Sequence, residues 1–306
     1  MPPRNLGIPL DLEWIGAVRV DEAEVEERVS ALGARRQLET EDRKHWLLQA
    51  VSCIDLTTLS GDDTPGRVRD LCAEARAPVR AELLEALGAP GLILTTAAVC
   101  VYHEMVGTAF EALEGSGIPV ATVSAGFPHG LSPLSVRLAE IEASVSAGAQ
   151  EIDTVISRFL VLEGDWGRLF EQVSAYREAC GDAHLKTILS TGELGSLANV
   201  YKASLVCMMA GADFIKTSTG KERVNATLPV GVVMARAIRE YARRTDYAVG
   251  LKPAGGIREA EEALAWFNLV KEELGEAWTE PNLFRFGASA LLGDLRRELE
   301  LLASSD

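Results

Sequence analysis

Two lysines and one aspartate are the residues of this sequence whose types and positions suit chemistry. Asp153 lies in EIDTVI, Lys216 in FIKTSTG and Lys252 in GLKPAGGI, each near the end of an apolar, strand-like run. In a parallel α/β barrel the carboxyl ends of the strands surround the active site, so side chains there point into it. A lysine in such a place is costly to desolvate, and it becomes a nucleophile once its proton is removed. The three strings therefore predict amine chemistry.

Lysines at matching places on neighbouring strands favour a reactive amine over a structural one. A single strand-end lysine is more often a rim residue or a salt-bridge partner. Lys216, however, has Lys252 on the next strand and Lys186 on the strand before, and like charges that close together disfavour protonation. An ordinary lysine is deprotonated in about one molecule in 2,500 at pH 7, so a pKa near 7 needs roughly 4–5 kcal/mol of destabilisation of the ammonium form. The free amine can attack a carbonyl and form an imine.

Two strand-end aspartates are candidates for proton transfer and substrate contact. Asp153, beside the lysines, can carry protons between water, the Lys252 ammonium and a substrate hydroxyl. Helix capping or a salt bridge is the alternative for such an aspartate. Asp55, at the end of the first strand run, is predicted to contact the substrate, with capping or charge balance as the alternative.

Glycine-rich loops after the last three strand runs predict a phosphate site. They contain Gly220 with Lys221, then Gly255 with Gly256, and then Gly287 with Ser289. Glycines let backbone N–H groups approach an anion, and helix N-termini favour its charge. Barrels of this kind frequently bind phosphate with the loops after strands seven and eight. A Gly-Gly pair alone usually marks a tight turn, so the prediction depends on the adjacent loops and on Lys221.

The elements that must position these residues alternate along the chain. Strand-like runs are predicted at 51–57, 93–101, 118–124, 151–156, 184–189, 214–218, 249–253 and 283–287. Eight strands separated by helices predict an α/β fold, the (β/α)8 TIM barrel. An open doubly wound sheet gives a similar alternation, but the number of strands and the polar strand ends favour the barrel.

Helix signals support this alternation. The clearest helix is predicted at 132–147, with Ser132 as N-cap, Pro133 at the first helical position and Gly148 as the stop. Further helices are predicted at 197–210, from Pro229 onward and at 259–274.

The chain is predicted to divide into an N-terminal helical extension, residues 1–50, and a barrel, residues 51–306, within one domain. Val25, Val29 and Leu32 recur at helical spacing among charged residues, and Trp46 and Leu47 begin another apolar face. The extension is expected to pack on the barrel.

Composition and charge exclude several classes of binding partner. The 306 residues carry a net charge of −15, which argues against a nucleic-acid binder and against anionic membrane surfaces. No apolar run is long enough to span a bilayer. The four histidines lack metal-ligand spacing, so no metal is predicted. Five cysteines without a CxxC pair, and no recognisable signal peptide, predict a cytoplasmic protein.

Several strings together resemble those of deoxyribose-phosphate aldolases. They are FIKTSTGK, LKPAGGIR, EIDTVI, KTILSTGEL, IDLTTLSGDDT and FRFGAS. The resemblance covers roughly residues 45–295, and its motifs are specific in combination. The N-terminal extension, with LDLEWI and NVYKASL, is most similar to the longer, animal-type branch of that family.

The resemblance implies a class I, Schiff-base aldolase on a (β/α)8 barrel that needs no cofactor. Its reaction is the reversible cleavage of 2-deoxy-D-ribose 5-phosphate to D-glyceraldehyde 3-phosphate and acetaldehyde, in deoxyribonucleoside catabolism. Lys216 is then expected to form the imine. Lys252 is expected to perturb the pKa of Lys216 and pass protons, and Asp153 to complete the relay. A homo-oligomer, dimer or tetramer, is expected.

Motif matches and strand-end positions together predict the binding residues. The expected substrate contacts are Asp55, Thr219 and Lys186. The expected phosphate contacts are Gly220, Lys221, Gly255, Gly256, Arg258, Gly287 and Ser289. Two alternatives stay open: another imine-forming sugar-phosphate lyase or transaldolase with a longer substrate, and a catalytically inactive phosphosugar-binding barrel. The presence of all three predicted catalytic residues counts against the inactive barrel.

Overall fold

Eight parallel strands form the centre of the structure, a computed structural model that describes residues 3–34 and 40–304. The strands are β1 (Ile54–Thr57), β2 (Ala98–Tyr102), β3 (Val120–Ser124), β4 (Glu151–Val155), β5 (His184–Ile188), β6 (Phe214–Lys216), β7 (Gly250–Lys252) and β8 (Phe286–Ala288). Their order is β7-β6-β5-β4-β3-β2-β1-β8. Bridges from Leu251 to Phe284 and from Ala254 to Gly287 bring the two edges together. The barrel is nearly closed, so the predicted (β/α)8 fold is confirmed.

Helices surround the barrel. In the described residues they are α1 (Leu12–Ala17), α2 (Glu22–Ala34), α3 (Thr40–Ser52), α4 (Pro65–Arg76), α5 (Ala81–Ala86), α6 (Val106–Ala112), α7 (Leu134–Ser146), α8 (Arg158–Glu163), α9 (Trp166–Ala179), α10 (Leu197–Met209), α11 (Leu228–Thr245), α12 (Ala260–Leu274) and α13 (Leu291–Ala303). Short 3-10 turns lie at His103–Met105, Thr191–Glu193 and Glu276–Thr279.

Strand register fixes which side chains meet inside the barrel. Successive side chains of a strand point to opposite faces, so in EIDTV the residues Glu151 and Asp153 share one face. Ladder pairing sets Asp153 beside Lys186. It also sets Lys216 beside Lys252. Lysines that are 36 positions apart in sequence therefore become neighbours because parallel strands align their carboxyl ends.

Some element boundaries differ from those that the sequence predicts. Helix α7 begins at Leu134 rather than Pro133, because Pro133 is the N-cap with an extended ψ of 143°. Ser132 as N-cap is therefore wrong by one residue. The predicted strand 93–101 begins only at Ala98, and Ile93 is 91% exposed. Apolar residue type indicated a strand there, but that stretch has no neighbouring strand to pair with in the described structure.

The N-terminal helices pack on the outside of the barrel. On α2, Val25 and Leu32 are buried, and Arg28 forms a 2.6 Å ion pair with Glu273 of α12. Helix α3 packs against α12 and α13. It ends at Ser52, beyond the predicted division at residue 50, which stays a prediction.

Asn5 fixes the segment before α1 to the N-terminal ends of the strands. Its backbone N–H donates to Asp213 at 2.7 Å. Its side-chain amide donates to the carbonyl groups of Met208 and Ala212 at 2.8 and 2.9 Å. Burial of this asparagine is tolerated because its polar atoms are satisfied.

Candidate active site

A cavity of about 430 Å³ opens at the carboxyl ends of β1, β6, β7 and β8. Its size lies in the range of small-molecule sites. The predicted site residues that line it are Lys216, Thr219, Gly220, Lys221, Gly255, Gly256, Arg258, Gly287 and Ser289. Loops far apart in sequence thus contribute to one cavity, as parallel strands with aligned ends require.

Lys216 places its amine at the floor of this cavity. The side chain is only 3% exposed, and its Nζ donates to Oδ2 of Asp153 at 2.8 Å. Burial lowers the pKa of Lys216, the Asp153 carboxylate acts in the opposite direction, and the neighbouring Lys252 ammonium lowers the pKa further. The net result is a lowered pKa. This direction is the one that the sequence argument requires, although burial contributes more than the like charge.

Asp153 links the two lysines through one oxygen. Its Oδ2 also accepts a hydrogen bond from Nζ of Lys252 at 2.7 Å. Burial alone would raise the pKa of Asp153, but the surrounding lysines hold it well below the ordinary value. Burial would lower the pKa of Lys252, but Asp153 and Asp55 raise it above the ordinary value. Asp153 Oδ2 therefore joins two amines, one with a raised pKa and one with a lowered pKa.

Lys186 and Asp55 lie beneath the cavity and are fully buried. Lys186 forms ion pairs with Glu151, with Asp55 at 3.4 Å and with Asp153 at 3.3 Å. Burial opposes its charge, yet these carboxylates raise the pKa of Lys186. The three lysines do lie together, as the sequence predicts, since each contacts Asp153. The expectation that this crowding disfavours protonation is wrong for Lys186, because carboxylates surround it. The substrate contacts assigned to Lys186 and Asp55 stay predictions.

Glu151 and Arg285 complete the buried set, and the motif search missed both. Arg285 donates to Oδ1 of Asp55 at 2.6 Å and to Oε1 of Glu151 at 3.0 Å. Strand alternation could have found them. Glu151 precedes Asp153 by two positions, and Arg285 lies between Phe284 and Phe286, whose side chains alternate with it.

The loops after β6 and β7 are held together by hydrogen bonds. The hydroxyl of Thr217 donates to the carbonyl of Ala254 at 3.2 Å and accepts from its N–H at 3.0 Å. Gly255 has a positive φ of 82°, and a Cβ there would lie 2.7 Å from Asn225. Glycine is required at this position both for its backbone conformation and for space.

Lys221 crosses the mouth of the cavity. Its Nζ donates to the carbonyl of Leu59, in the loop after β1, at 3.2 Å. The part of the cavity that is lined by Gly255, Gly287 and Ser289 lies between the loop after β6, which carries Lys221, and the loop after β1. A cation at this mouth can meet an anionic group bound below it.

Two helix N-termini approach the cavity, and they differ in whether side chains cap their first backbone amides. Helix α12 has a capping box in which Glu259 and Glu262 occupy its first amides. In the described structure α13 begins with Ala290 at its N-cap position and has no side-chain cap. Ser289 and Ala290 both line the cavity. The uncapped amides of α13 are therefore the ones suited to an anion.

Two other kinds of feature are absent from residues 3–34 and 40–304. Neither a group of three potential metal ligands nor a helix long and apolar enough to cross a bilayer occurs in that part of the chain.

Fold and site together define a (β/α)8-barrel enzyme with a buried, amine-bearing active site. Comparison with known proteins identifies the family to which the chain belongs. The chain belongs to the DeoC/LacD family of aldolases, whose family model matches residues 50–291. The family predicted from the motifs is thereby confirmed, and the chain is an aldolase.

Relatives match nearly the full chain. Deoxyribose-phosphate aldolase of Mus musculus is 58% identical over 295 residues, covering 96% of this chain and 93% of the relative. The enzyme of that name from Homo sapiens is 54% identical over 301 residues, covering 98% and 95%. A structure of the tetrameric deoxyribose phosphate aldolase from Aeropyrum pernix shares the fold, with a TM-score of 0.60 at 23% identity over 86% of this chain and all of that one.

Proposed function

We propose that this aldolase cleaves 2-deoxy-D-ribose 5-phosphate reversibly through an imine on Lys216. The observation that carries the proposal is the Lys216 amine, which lines the cavity while sharing Oδ2 of Asp153 with Lys252. The mammalian relatives bear the name of this activity at 54–58% identity. Breakdown of deoxyribonucleosides is the pathway that the reaction fits.

The proposed chemistry begins with attack of the Lys216 amine on the aldehyde carbon C1 of the open-chain sugar. A C–N bond forms, water leaves, and uptake of one proton from solvent gives a protonated imine. A proton then passes from the C3 hydroxyl to Asp153, directly or through water. The C2–C3 electron pair moves into the imine, so glyceraldehyde 3-phosphate leaves and an enamine remains.

Turnover of the enamine needs the proton back. Lys252, held as an ammonium beside Asp153, is the proposed donor to C2 through the same carboxylate or a water. Hydrolysis of the resulting imine releases acetaldehyde and restores the free amine. Asp153 and Lys252 thus act in both directions of the reaction, which microscopic reversibility requires.

The phosphate is proposed to lie against the loops after β6, β7 and β8. The uncapped start of α13, the glycines and the Lys221 ammonium supply donors and positive charge. Arg258 lines the same cavity. Thr219 is proposed to contact a sugar hydroxyl or the phosphate from the β6 loop.

Borohydride trapping tests the proposal. Acetaldehyde and borohydride should inactivate the protein irreversibly and add a two-carbon group to Lys216, located by peptide mass mapping. A stable label on Lys252 or Lys186 would contradict the assignment of the nucleophile. Substrate tests separate the alternatives: an inactive phosphosugar-binding barrel would not turn over deoxyribose 5-phosphate, and a transaldolase would accept a ketose donor.

We also propose a homo-oligomer, a dimer or tetramer, in the cytoplasm. The related Aeropyrum pernix structure is described as tetrameric, and this chain leaves Leu131, Phe159 and Leu162 exposed near the mouth of the barrel. All five cysteines are free and buried, which suits a reducing compartment. Light scattering after size-exclusion chromatography tests the assembly, and a mass of one chain at micromolar concentration would contradict it.

A further inference from the structure

The buried charge cluster beneath the cavity has unequal numbers of acids and bases. It is defined by Lys186, Lys216, Lys252, Arg285, Asp55, Glu151 and Asp153, all of which are buried. Four of these seven side chains are basic and three are acidic. With every group ionised, the cluster carries a net charge of +1. With Lys216 as a free amine, three cations face three anions. A net charge in a dry interior is costly, so the balanced state is favoured.

Contacts decide which base gives up its proton. Lys186 forms ion pairs with three carboxylates, and Lys252 and Arg285 each with two. Among the described residues Lys216 pairs with Asp153 alone. The least compensated cation loses its charge at the lowest cost, and that cation is the one that lines the cavity.

Arg285 is the member of the cluster that cannot lose its proton at any ordinary pH. It precedes β8 and borders a second cavity, of about 340 Å³, at the N-terminal ends of the strands. Contacts run from Arg285 to Asp55, then to Lys252, Asp153 and Lys216. We propose that Arg285 is a positioning residue whose permanent charge, acting from the far end of the barrel, keeps Lys216 a free amine. Glu151 balances that charge in part. The inference rests on the proposed function in taking Lys216 as the reacting amine.

Titratable groups on several strands face Lys216 and Arg285 and enter this charge balance. Lys216 faces Asp153 of β4, Lys252 of β7 and the thiol of Cys100 of β2. Arg285 faces Asp55 of β1, Glu151 of β4 and the thiol of Cys53. Burial raises the pKa of both thiols, so they stay neutral near pH 7.

The size of the shift in the titration midpoint of Lys216 follows from the distance between the charges. Glu151 and Asp153 are two residues apart on β4, so the two levels of the cluster are separated by about 7 Å. A unit charge at roughly 7–10 Å, with an effective dielectric constant of about 20, shifts a titration midpoint by at least about one pH unit. Removal of Arg285 should raise the midpoint of Lys216 by that amount, and removal of Glu151 should lower it.

The test titrates the amine without turnover. Acetylacetone condenses with an uncharged lysine amine, with loss of water, to an enaminone that absorbs in the near ultraviolet. The rate of this reaction against pH gives the midpoint, and peptide mapping locates the adduct. Arg285→Gln should move the midpoint up by at least about one pH unit, and Glu151→Gln should move it down. The double variant should return to the wild-type midpoint, and Arg285→Lys, which keeps the charge, should remain near it.

These variants distinguish an electrostatic role of Arg285 from a purely structural one. If Arg285 only supported the fold, the double variant would be no better than Arg285→Gln, and that result would overturn the proposal. An unchanged midpoint in both single variants would also overturn it while leaving the proposed function intact. An adduct on another lysine would instead contradict the nucleophile. Should Arg285→Gln fail to fold, Glu151→Gln and the double variant still decide the outcome.

Discussion

Lys216 combines burial with reactivity, and the two have one cause. Exclusion of water lowers the pKa of its amine, and its carboxylate partner is shared with another lysine. A lysine whose pKa is lower in the folded than in the unfolded state disfavours folding at pH values below its unfolded pKa, because unfolding lets it bind a proton more tightly. The nucleophile is therefore expected to cost stability.

Replacement of Lys216 by methionine is predicted to separate activity from stability. Turnover of deoxyribose 5-phosphate should fall by about 10⁴-fold or more, because the other lysine that lines the cavity, Lys221, lies at its mouth rather than beside Asp153. The folded pKa is lowered, so the unfolded state binds more protons below the ordinary lysine pKa. The variant should accordingly melt at pH 7 at the wild-type temperature or above it. A melting temperature several degrees lower, measured by calorimetry, would show that the ammonium form stabilises the fold.

Replacement of Lys252 by methionine is predicted to slow the reaction and move its pH dependence. The variant loses the ammonium that lowers the pKa of Lys216 and that is proposed to protonate the enamine. We expect kcat to fall by about 10²–10⁴-fold, and the acid limb of the kcat/KM profile to move to higher pH. Lys271→Met, which changes an exposed lysine of α12, is the matched control. An unmoved acid limb in Lys252→Met would refute coupling between the two amines.

The sequence indicated which strand-end residues would meet in the barrel better than it indicated their counter-ions. Asp153, Lys216 and Lys252 could be found because each ends a short apolar run, and strand ends converge in a barrel. Glu151 and Arg285 begin or precede their strands, where a charged residue ordinarily faces water. Only the closed barrel, with its filled interior, turns those positions inward. The expectation for Lys186 was wrong for the same reason, since its three carboxylates come from two other strands.

At the scale of elements, the loops after β6 to β8 form one binding surface. Each begins at the end of a strand whose position the ladder fixes and leads into a helix. Their glycines and helix starts could be read from sequence. The crossing of Lys221 to Leu59 could not, because it joins loops 162 positions apart.

Replacement of Lys221 by methionine is predicted to affect phosphorylated substrates selectively. Loss of one charge-assisted contact should raise KM for deoxyribose 5-phosphate about 10-fold or more and change kcat little. Turnover of unphosphorylated 2-deoxyribose should be unaffected. Arg223→Met removes an exposed cation from the same loop, outside the cavity lining, and serves as the control. Equal losses with both sugars in steady-state kinetics would place Lys221 away from the phosphate.

Element types were predicted more reliably than their ends. Alternating strands and capped helices gave the barrel, since each depends on local residue patterns. The start of β2 was placed too early because residue type alone does not show where pairing begins. Ile93 carries the same β preference as the buried residues but lies at the surface.

At the scale of the whole molecule, the N-terminal segment is attached to the barrel at the N-terminal ends of the strands. Asn5 donates hydrogen bonds to Asp213, Met208 and Ala212, and its Oδ1 accepts from the hydroxyl of Tyr241 at 3.2 Å. This side chain joins the extension to α10, α11 and the start of β6.

Replacement of Asn5 by alanine is predicted to destabilise the fold without changing the chemistry. Two buried carbonyls and one hydroxyl each lose a hydrogen bond to Asn5, which should lower the free energy of unfolding by about 2–4 kcal/mol. Denaturant unfolding measures the loss, and kcat of the folded enzyme should match the wild type. Leu6→Ala, at the neighbouring position that is 94% exposed, should change neither quantity. A fall in kcat for Asn5→Ala would connect this segment to the active site.

The span of the Asn5 contacts also orders events during protein synthesis. Asn5 and its partner Met208 are 203 residues apart. A ribosome that adds about 5–20 residues per second needs roughly 10–40 s to cover this interval. During that time the nascent segment waits for binding partners that have not been made, within reach of chaperones and proteases. Attachment of the N-terminal segment to the barrel consequently cannot precede the synthesis of Met208, Ala212 and Asp213.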